Sequence, residues 1–343
     1  MNKIHSNGRA SLHTTLAASA MLAMAFTLTS CGPSAAEIAI RSAPSVEAVK
    51  GLKDKLIWLQ GNAQSGGNYV LEIDTNEKDM ECGFVSSCGN LSYKGKSDIT
   101  ITLRGIGANR TIFGGFTIES GVTLILDENI VLLRLIKVNS GGTLIMNDGS
   151  AITGVIRKDY ILNTYETTIS GKIHGAGVYV GAGGTFIMKG GTISGNTIQP
   201  RPLNSTDMII IKMAGLTDLS NINFVATGAG VYVSDEFNAE GPVSLLAKSA
   251  PSGTFIKTGG TIIGYSSDQE NGNVVRSVKG NVLNGFGHAI FLDGKEPKAI
   301  DTTVGPEITI NFKNGVFSEG RNEKTKPQEA IAEPVEAQMP QDE

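Results

Sequence analysis

Three cysteines carry the most specific chemistry in this chain of 343 residues. Cys31 follows Leu28, Thr29 and Ser30, an aliphatic residue, two small ones and then a thiol. Small side chains let a peptidase reach the backbone, and the thiol can accept a diacylglyceryl group before the cut. Lys3 and Arg9 supply a positive start, and residues 16–28 (LAASAMLAMAFTL) form an apolar run too short to span a bilayer as a stable helix. Charge, apolar run and small residues in this order predict a cleaved export signal over 1–30 and lipid attachment at Cys31. The competing reading is an ordinary secretory signal with a chance cysteine. The partner implied is a lipid bilayer, gripped by several acyl chains because one alone binds only marginally. Cys82 and Cys88, in ECGFVSSCGN, would then meet an oxidising compartment, where such a pair becomes a disulfide. So short a loop would stabilise a local turn by at most ~2 kcal/mol. A metal site fits less well, since the spacing is not CxxC and no histidine lies near.

Carboxylates are the next test. A site that cleaves polysaccharide needs clustered Asp residues, holding Ca²⁺ or acting as an acid and base pair, and a nearby cation. Asp148, Asp235 and Asp293 stand apart, in turns or inserted segments. Asp127 and Glu128 are adjacent, but the matching positions further along are Asn147 and Asp148, which suits a solvated turn better. His174 and His288 are lone histidines beside turns, positions more often structural than catalytic. No catalytic residue, metal ligand or cofactor is therefore expected, and a polysaccharide lyase or hydrolase is the runner-up.

One aromatic set recurs. Gly175-Ala-Gly-Val-Tyr-Val180 returns as Gly228-Ala-Gly-Val-Tyr-Val233 and, altered, as Gly287-His-Ala-Ile-Phe-Leu292. This puts Tyr179, Tyr232 and Phe291 at one outward position in three copies. Stacked on one face, they would offer a strip for a host or envelope glycan or protein. The alternative, which we favour, is a ladder that stabilises the sheet or packs beneath an inserted loop.

The elements that must position these residues are written as repeats. GTLIMNDG (142–149), GTFIMKGG (184–191) and GTFIKTGG (253–260) align, each followed by a Thr/Ser-Ile segment and glycine; a weaker copy is VTLILDEN (122–129). The 43 glycines are nearly twice the average share. A unit of about twenty to twenty-six residues with two or three short strands fits one coil of a parallel β-helix. Insertions near 155–170, 196–222, 235–252 and 265–284 stretch the spacing, leaving on the order of six to eight coils over 62–318. Alternation points Phe186, Met188, Ile193, Val178 and Val180 inward, and Thr185, Ile187, Lys189 and Tyr179 outward. Before the strands, 31–44 reads as a tether. Apolar residues spaced three or four apart predict a helix over 45–61, placed to cap the first coil, with Trp58 as a core anchor. Residues 319–343 read as a disordered acidic tail, whose seven acidic and three basic residues account for the net charge of −4. No basic cluster points to nucleic acid. The fold class expected is all-β: a right-handed single-stranded parallel β-helix, or solenoid, with a short N-terminal capping helix.

These segments also resemble a known group, the bacterial lipoproteins of spirochaete type that carry right-handed β-helix repeats on the scaffold shared with pectate lyases. The likeness rests on LSYKGKSDITITLRGIGANRTI (91–112), SGGTLIMNDGSAITG (140–154), GAGVYVGAGGTFIMKGGTISGN (175–196), GTFIKTGGTIIGY (253–265), GHAIFLDG (287–294) and DTTVGPEITI (301–310). It covers most of 50–315. Departures are the long insertion at 196–222 and alanines at 176 and 229, where the pattern has glycine. The resemblance implies the fold and an envelope location, with Gly32 in place of Asp pointing to the outer membrane, facing either the cell surface or the periplasm. It implies a structural, adhesive or antigenic role and no particular reaction.

Overall fold

The structure, a computed structural model, describes residues 45–78, 89–158, 161–165, 168–213, 223–235, 251–294 and 296–321. The chain divides into two units, Met1–Ser45 and Val46–Glu343, and every described helix and strand belongs to the second. Cys31, Cys82 and Cys88, with the export signal and the tether, lie outside the described residues.

Strands dominate, with two α-helices among the described residues. Most strands pair in parallel within three main sheets of eight, seven and five strands. From Asn90–Leu91 onward the chain meets the seven-stranded, then the eight-stranded, then the five-stranded sheet, and repeats that order. Each return pairs a strand with the one laid down a circuit earlier. Early circuits take twenty residues, as in Thr123 opposite Thr143 and Phe116 opposite Ile136. Later ones are longer, with Thr143 opposite Thr185 and Thr185 opposite Thr254.

The described extra residues form additions of their own. Ile156–Arg157, Thr197–Ile198 and Val274–Val275 make one three-stranded parallel sheet. Hairpin strands Ile161–Tyr165 and Thr168–His174 make another with Asn223–Thr227. Between the two, helix α2 (Ser205–Met213) is set by a reciprocal cap in which Asp207 N–H donates to Asn204 Oδ1 (3.0 Å) and Asn204 N–H to Asp207 Oδ2 (2.7 Å). The described parts of the segments expected as insertions near 155–170, 196–222 and 265–284 thus stack on one another much as the repeats do, while 236–250, most of the insertion expected at 235–252, lies outside the described residues.

The core follows from alternation. Successive strands of the five-stranded sheet place Ile112, Leu132, Ile152, Ile193 and Ile262 in one fully buried column. A second column in the eight-stranded sheet runs Ile101, Leu124, Leu144, Phe186 and Phe255, the last two rings stacked at 5.1 Å. Each such side chain contributes roughly 1.5–3 kcal/mol of transfer free energy when fully buried. Phe186, Met188, Ile193, Val178 and Val180 point inward as their spacing predicts, while Thr185 and Ile187 are half-buried and Lys189 is exposed.

Both ends depart from expectation. The predicted helix over 45–61 is broken: a 3-10 turn at Val46–Ala48 is followed by Gly51 at φ 76°, and α1 spans Leu52–Asn62. A left-handed residue cannot continue a right-handed helix, so Gly51 splits the run. Leu52, Leu56 and Leu59 of α1 are buried in the same core as Leu71 and Ile73 of the first strand. Glu77 accepts the Leu52 N–H (2.8 Å), which places a carboxylate at the helix N-terminus. Trp58 is only partly buried and meets Tyr69 edge to face at 6.4 Å, so it packs at the margin of the core. At the other end, residues 319–321 belong to strand Val316–Arg321, which pairs antiparallel with Ile308–Lys313. Asn314 (φ 54°) and Gly315 (φ 72°) supply the two positive φ angles of a two-residue hairpin loop, so the strand extends into the stretch read as tail. The rest of that stretch, 322–343, lies outside the described residues.

Candidate functional site

The recurrent aromatic position occupies the outward face of the seven-stranded sheet. Lys137, Tyr179, Tyr232 and Phe291 stand opposite one another on successive strands. Tyr179 and Tyr232 stack at 5.3 Å and 19°, Tyr232 and Phe291 at 5.9 Å and 8°. The Lys137 ammonium lies 5.8 Å from the Tyr179 ring centre. Each stacked pair contributes about 0.5–1.5 kcal/mol beyond the area it buries.

A glycine four residues before each aromatic residue lets the backbone approach the base of its side chain. Gly175, Gly228 and Gly287 have φ of 67°, 70° and 74°. A Cβ on any of them would meet the Cβ of Tyr179, Tyr232 or Phe291 at 3.0, 2.7 and 2.8 Å. Gly-x-x-x-aromatic is therefore one structural unit, used three times.

The rings are covered rather than displayed. Tyr179 retains 7% exposure and Tyr232 2%, and only Phe291 is half-buried. His174 lies on Tyr232, with ring centres 4.4 Å apart and planes at 16°. The Tyr232 hydroxyl donates to Asp293 Oδ2 at 2.8 Å; burial first, and then the Asp293 charge, push the phenol well above its ordinary value. His174 Nδ1 bonds the Thr227 hydroxyl at 2.6 Å, and burial, with the charges of Lys172 and Arg157, pushes the imidazole down to about 4. The three positions thus form a packed stack rather than a displayed strip, and the strand ending at His174 lays a ring on Tyr232.

His288, also read as a lone histidine, is fully buried where the earlier copies have Ala176 and Ala229. Its Nδ1 accepts the Val275 N–H at 3.0 Å, which leaves the ring proton on Nε2, 3.3 Å from Asn284 Oδ1. Burial is the main cause of its lowered pKa. Asp301 fixes the same turn, accepting N–H bonds from Gly285, from Gly287 (2.8 Å) and from His288 (2.9 Å).

Three further buried polar residues were not singled out from the sequence. Asn196 and Asn273, both fully buried, form a two-rung ladder between circuits. Asn196 Nδ2 donates to Asn273 Oδ1 (2.8 Å), and Asn273 Nδ2 donates to the carbonyls of Ile193 (2.9 Å) and Ile263 (2.6 Å). The signal was the glycine-asparagine pair at 195–196, repeated at 272–273. Lys257 takes the column place held by Met188 one circuit earlier and is fully buried. Its ammonium donates to the carbonyls of Gly305 (2.6 Å) and Ile308 (2.9 Å), and burial pulls its pKa down to about 8. The lysine in GTFIKTGG, set beside GTFIMKGG, was the visible sign.

Of the carboxylates, Asp127 pairs with Arg104 at 2.6 Å and accepts from Asn147 Nδ2 at 3.2 Å, an outward ladder rather than a bare solvated turn. Among the described residues no group of three or more His, Cys, Asp or Glu comes together in a form that could hold a metal. No helix among them is long and apolar enough to cross a membrane. Comparison with protein-family models, with curated proteins and with solved structures returned no match.

Proposed function

We propose that this chain is a right-handed parallel β-helix, tethered to the bacterial outer membrane through lipid on Cys31, that serves as a structural or adhesive display scaffold rather than as an enzyme. The observation that carries the scaffold reading is the cyclic order of the three main sheets. Columns stay in register from Thr123 to Thr254 although the chain between neighbouring rungs grows from twenty residues to several times that. A stack that keeps its core while accepting inserted segments can vary what it displays at little cost to the fold. A crossover returning to a parallel neighbour is right-handed in nearly all cases, which supports that hand here. The lipid tether is supported by the residue order before Cys31, and the outer-membrane site by Gly32. Segments 196–222 and 265–284 are the proposed recognition elements.

The test is protease shaving of intact cells that make the chain, beside a Cys31→Ala form. The expected result is digestion of the wild type at the surface, with labelled fatty acid incorporated into the wild type and none into the Cys31→Ala protein. Absence of label from the wild type, or equal label in the Cys31→Ala form, would overturn the tether. Full protection of the wild type in intact cells, with digestion only after lysis, would overturn surface display.

A further inference from the structure

Residues 274–286 close one wall of a cleft of about 440 Å³. The wall is a tight turn in which Ser277 N–H donates to the Asn281 carbonyl (2.8 Å) and Leu283 N–H to that of Val275 (2.9 Å). Pro200, just beyond strand Thr197–Ile198, and Ala226 of strand Asn223–Thr227 face it from the neighbouring circuit. Leu283 and Phe286 give the cleft apolar contact area, while Arg276, Lys279 and Asn281 supply polar groups. Among the described residues that line it, two are cations and none is a carboxylate.

We propose that this cleft binds a carboxylate-bearing sugar unit of a glycan. The volume falls within the range of small-ligand sites, roughly 300–1,000 Å³. Charge sets the sign of the ligand: two cations with no carboxylate beside them among the described lining residues favour an anion. Apolar area beside the cations sets its shape, because a sugar ring offers a C–H face that packs on Phe286 while its polar edge reaches out. Arg276 is positioned to act as the anchor. Its guanidinium lies 5.8 Å from the Tyr265 ring centre, and Nη1 donates to the Gly280 carbonyl at 3.0 Å. That bond uses one of its five N–H donors, and a planar guanidinium matches a carboxylate in a two-bond fork. Asn281 adds an amide able both to donate to and to accept from sugar hydroxyls. A bare anion would leave the apolar part of the cleft unused, and a neutral sugar would leave both cations unanswered. The proposal does not rest on lipid attachment, so the cleft binds whether or not the chain is tethered.

The experiment titrates the full chain with a hyaluronan tetrasaccharide, whose glucuronate units carry the carboxylate, by calorimetry at low salt. Controls are the same tetrasaccharide with its carboxyl groups reduced to alcohols, and inorganic phosphate. Saturable binding of the acidic probe alone is expected, with about tenfold weaker affinity for Arg276→Gln, which keeps one neutral amide bond in place of the charge-assisted fork. Lys279→Gln, at an exposed position that the fold does not depend on, should weaken binding severalfold and keep the test decisive if Arg276→Gln does not fold. Absence of saturable binding, equal binding of the reduced probe, or affinity unchanged in both variants overturns the proposal. Displacement by phosphate at comparable concentration overturns the sugar assignment.

Discussion

Lys257 shows how one residue in a repeat can mark the end of a stack. Where the parallel run gives way to the antiparallel strand Ile308–Lys313, the Lys257 ammonium satisfies the carbonyls of Gly305, in the turn before that strand, and of Ile308, its first residue. The cost is a desolvated charge, seen in a pKa pulled from 10.5 to about 8. Below pH 8 the amine is protonated in both folded and unfolded chains. Between about 8 and 10.5 the unfolded chain holds more protons, so stability rises with pH across that window. Urea melts at pH 7 and pH 10 should show this rise in the wild type, and Lys257→Met should abolish it. The same variant orphans two carbonyls and should lose about 1–3 kcal/mol at pH 7. The histidines act at the acid end. His174, with a pKa near 4, and His288, also lowered, are neutral in the fold but take up protons near pH 6.5 once unfolded. Stability should therefore fall as pH drops from about 6.5 towards 4. His288→Gln keeps an acceptor for Val275 N–H and a donor for Asn284, so it should shrink that fall while barely changing the urea midpoint at pH 7. A pH dependence unchanged in His288→Gln would remove this histidine from the account.

At the scale of elements, the Gly-x-x-x-aromatic unit predicts how unequal the glycines are. Gly228→Ala must hold φ 70° with a Cβ 2.7 Å from that of Tyr232. Gly285→Ala must hold φ 83° but meets nothing within 4 Å. The second should lose only the left-handed penalty, roughly 1–2 kcal/mol, and the first clearly more, read as a larger drop in Tm. Equal losses would mean that the close approach at Gly228 adds nothing to the left-handed penalty. The same unit shows what was legible in advance. Parallel strands and their inward faces could be read because period-two alternation recurs in GTFIMKGG and its relatives, and the match of Tyr179, Tyr232 and Phe291 placed them in one column. Which ring covers the ladder could not be read, since His174, which lies on Tyr232, is on a strand outside that repeat. Nor could the stacking of Ile156–Arg157, Thr197–Ile198 and Val274–Val275, because a strand of two residues has no period to detect. Gly51 lay in plain view inside the predicted helix, but its left-handed φ is a tertiary choice.

At the scale of the whole molecule, a stack in which each circuit touches mainly its neighbours should lose stability locally rather than all at once. Helix α1 gives a place to test this. Leu56 is 1% exposed and shares its core with Leu71 and Ile73 of the first strand, Asn68–Ile73, which pairs on one side with Ile99–Gly105. Leu56→Ala leaves a cavity there and should cost about 2–5 kcal/mol at the site itself. Under nearest-neighbour coupling that loss weakens the first circuits, while the stretch through Thr143–Met146 and Thr185–Met188 keeps its own contacts on both sides. Native-state hydrogen exchange reads the difference strand by strand. Amides of Asn68–Ile73 and Ile99–Gly105 should lose most of their protection, and those of Thr185–Met188 little. A uniform loss across all strands would show a single cooperative unit. In that case inserted segments could not vary without taxing the whole fold, and the display role proposed for segments 196–222 and 265–284 would lose its physical basis.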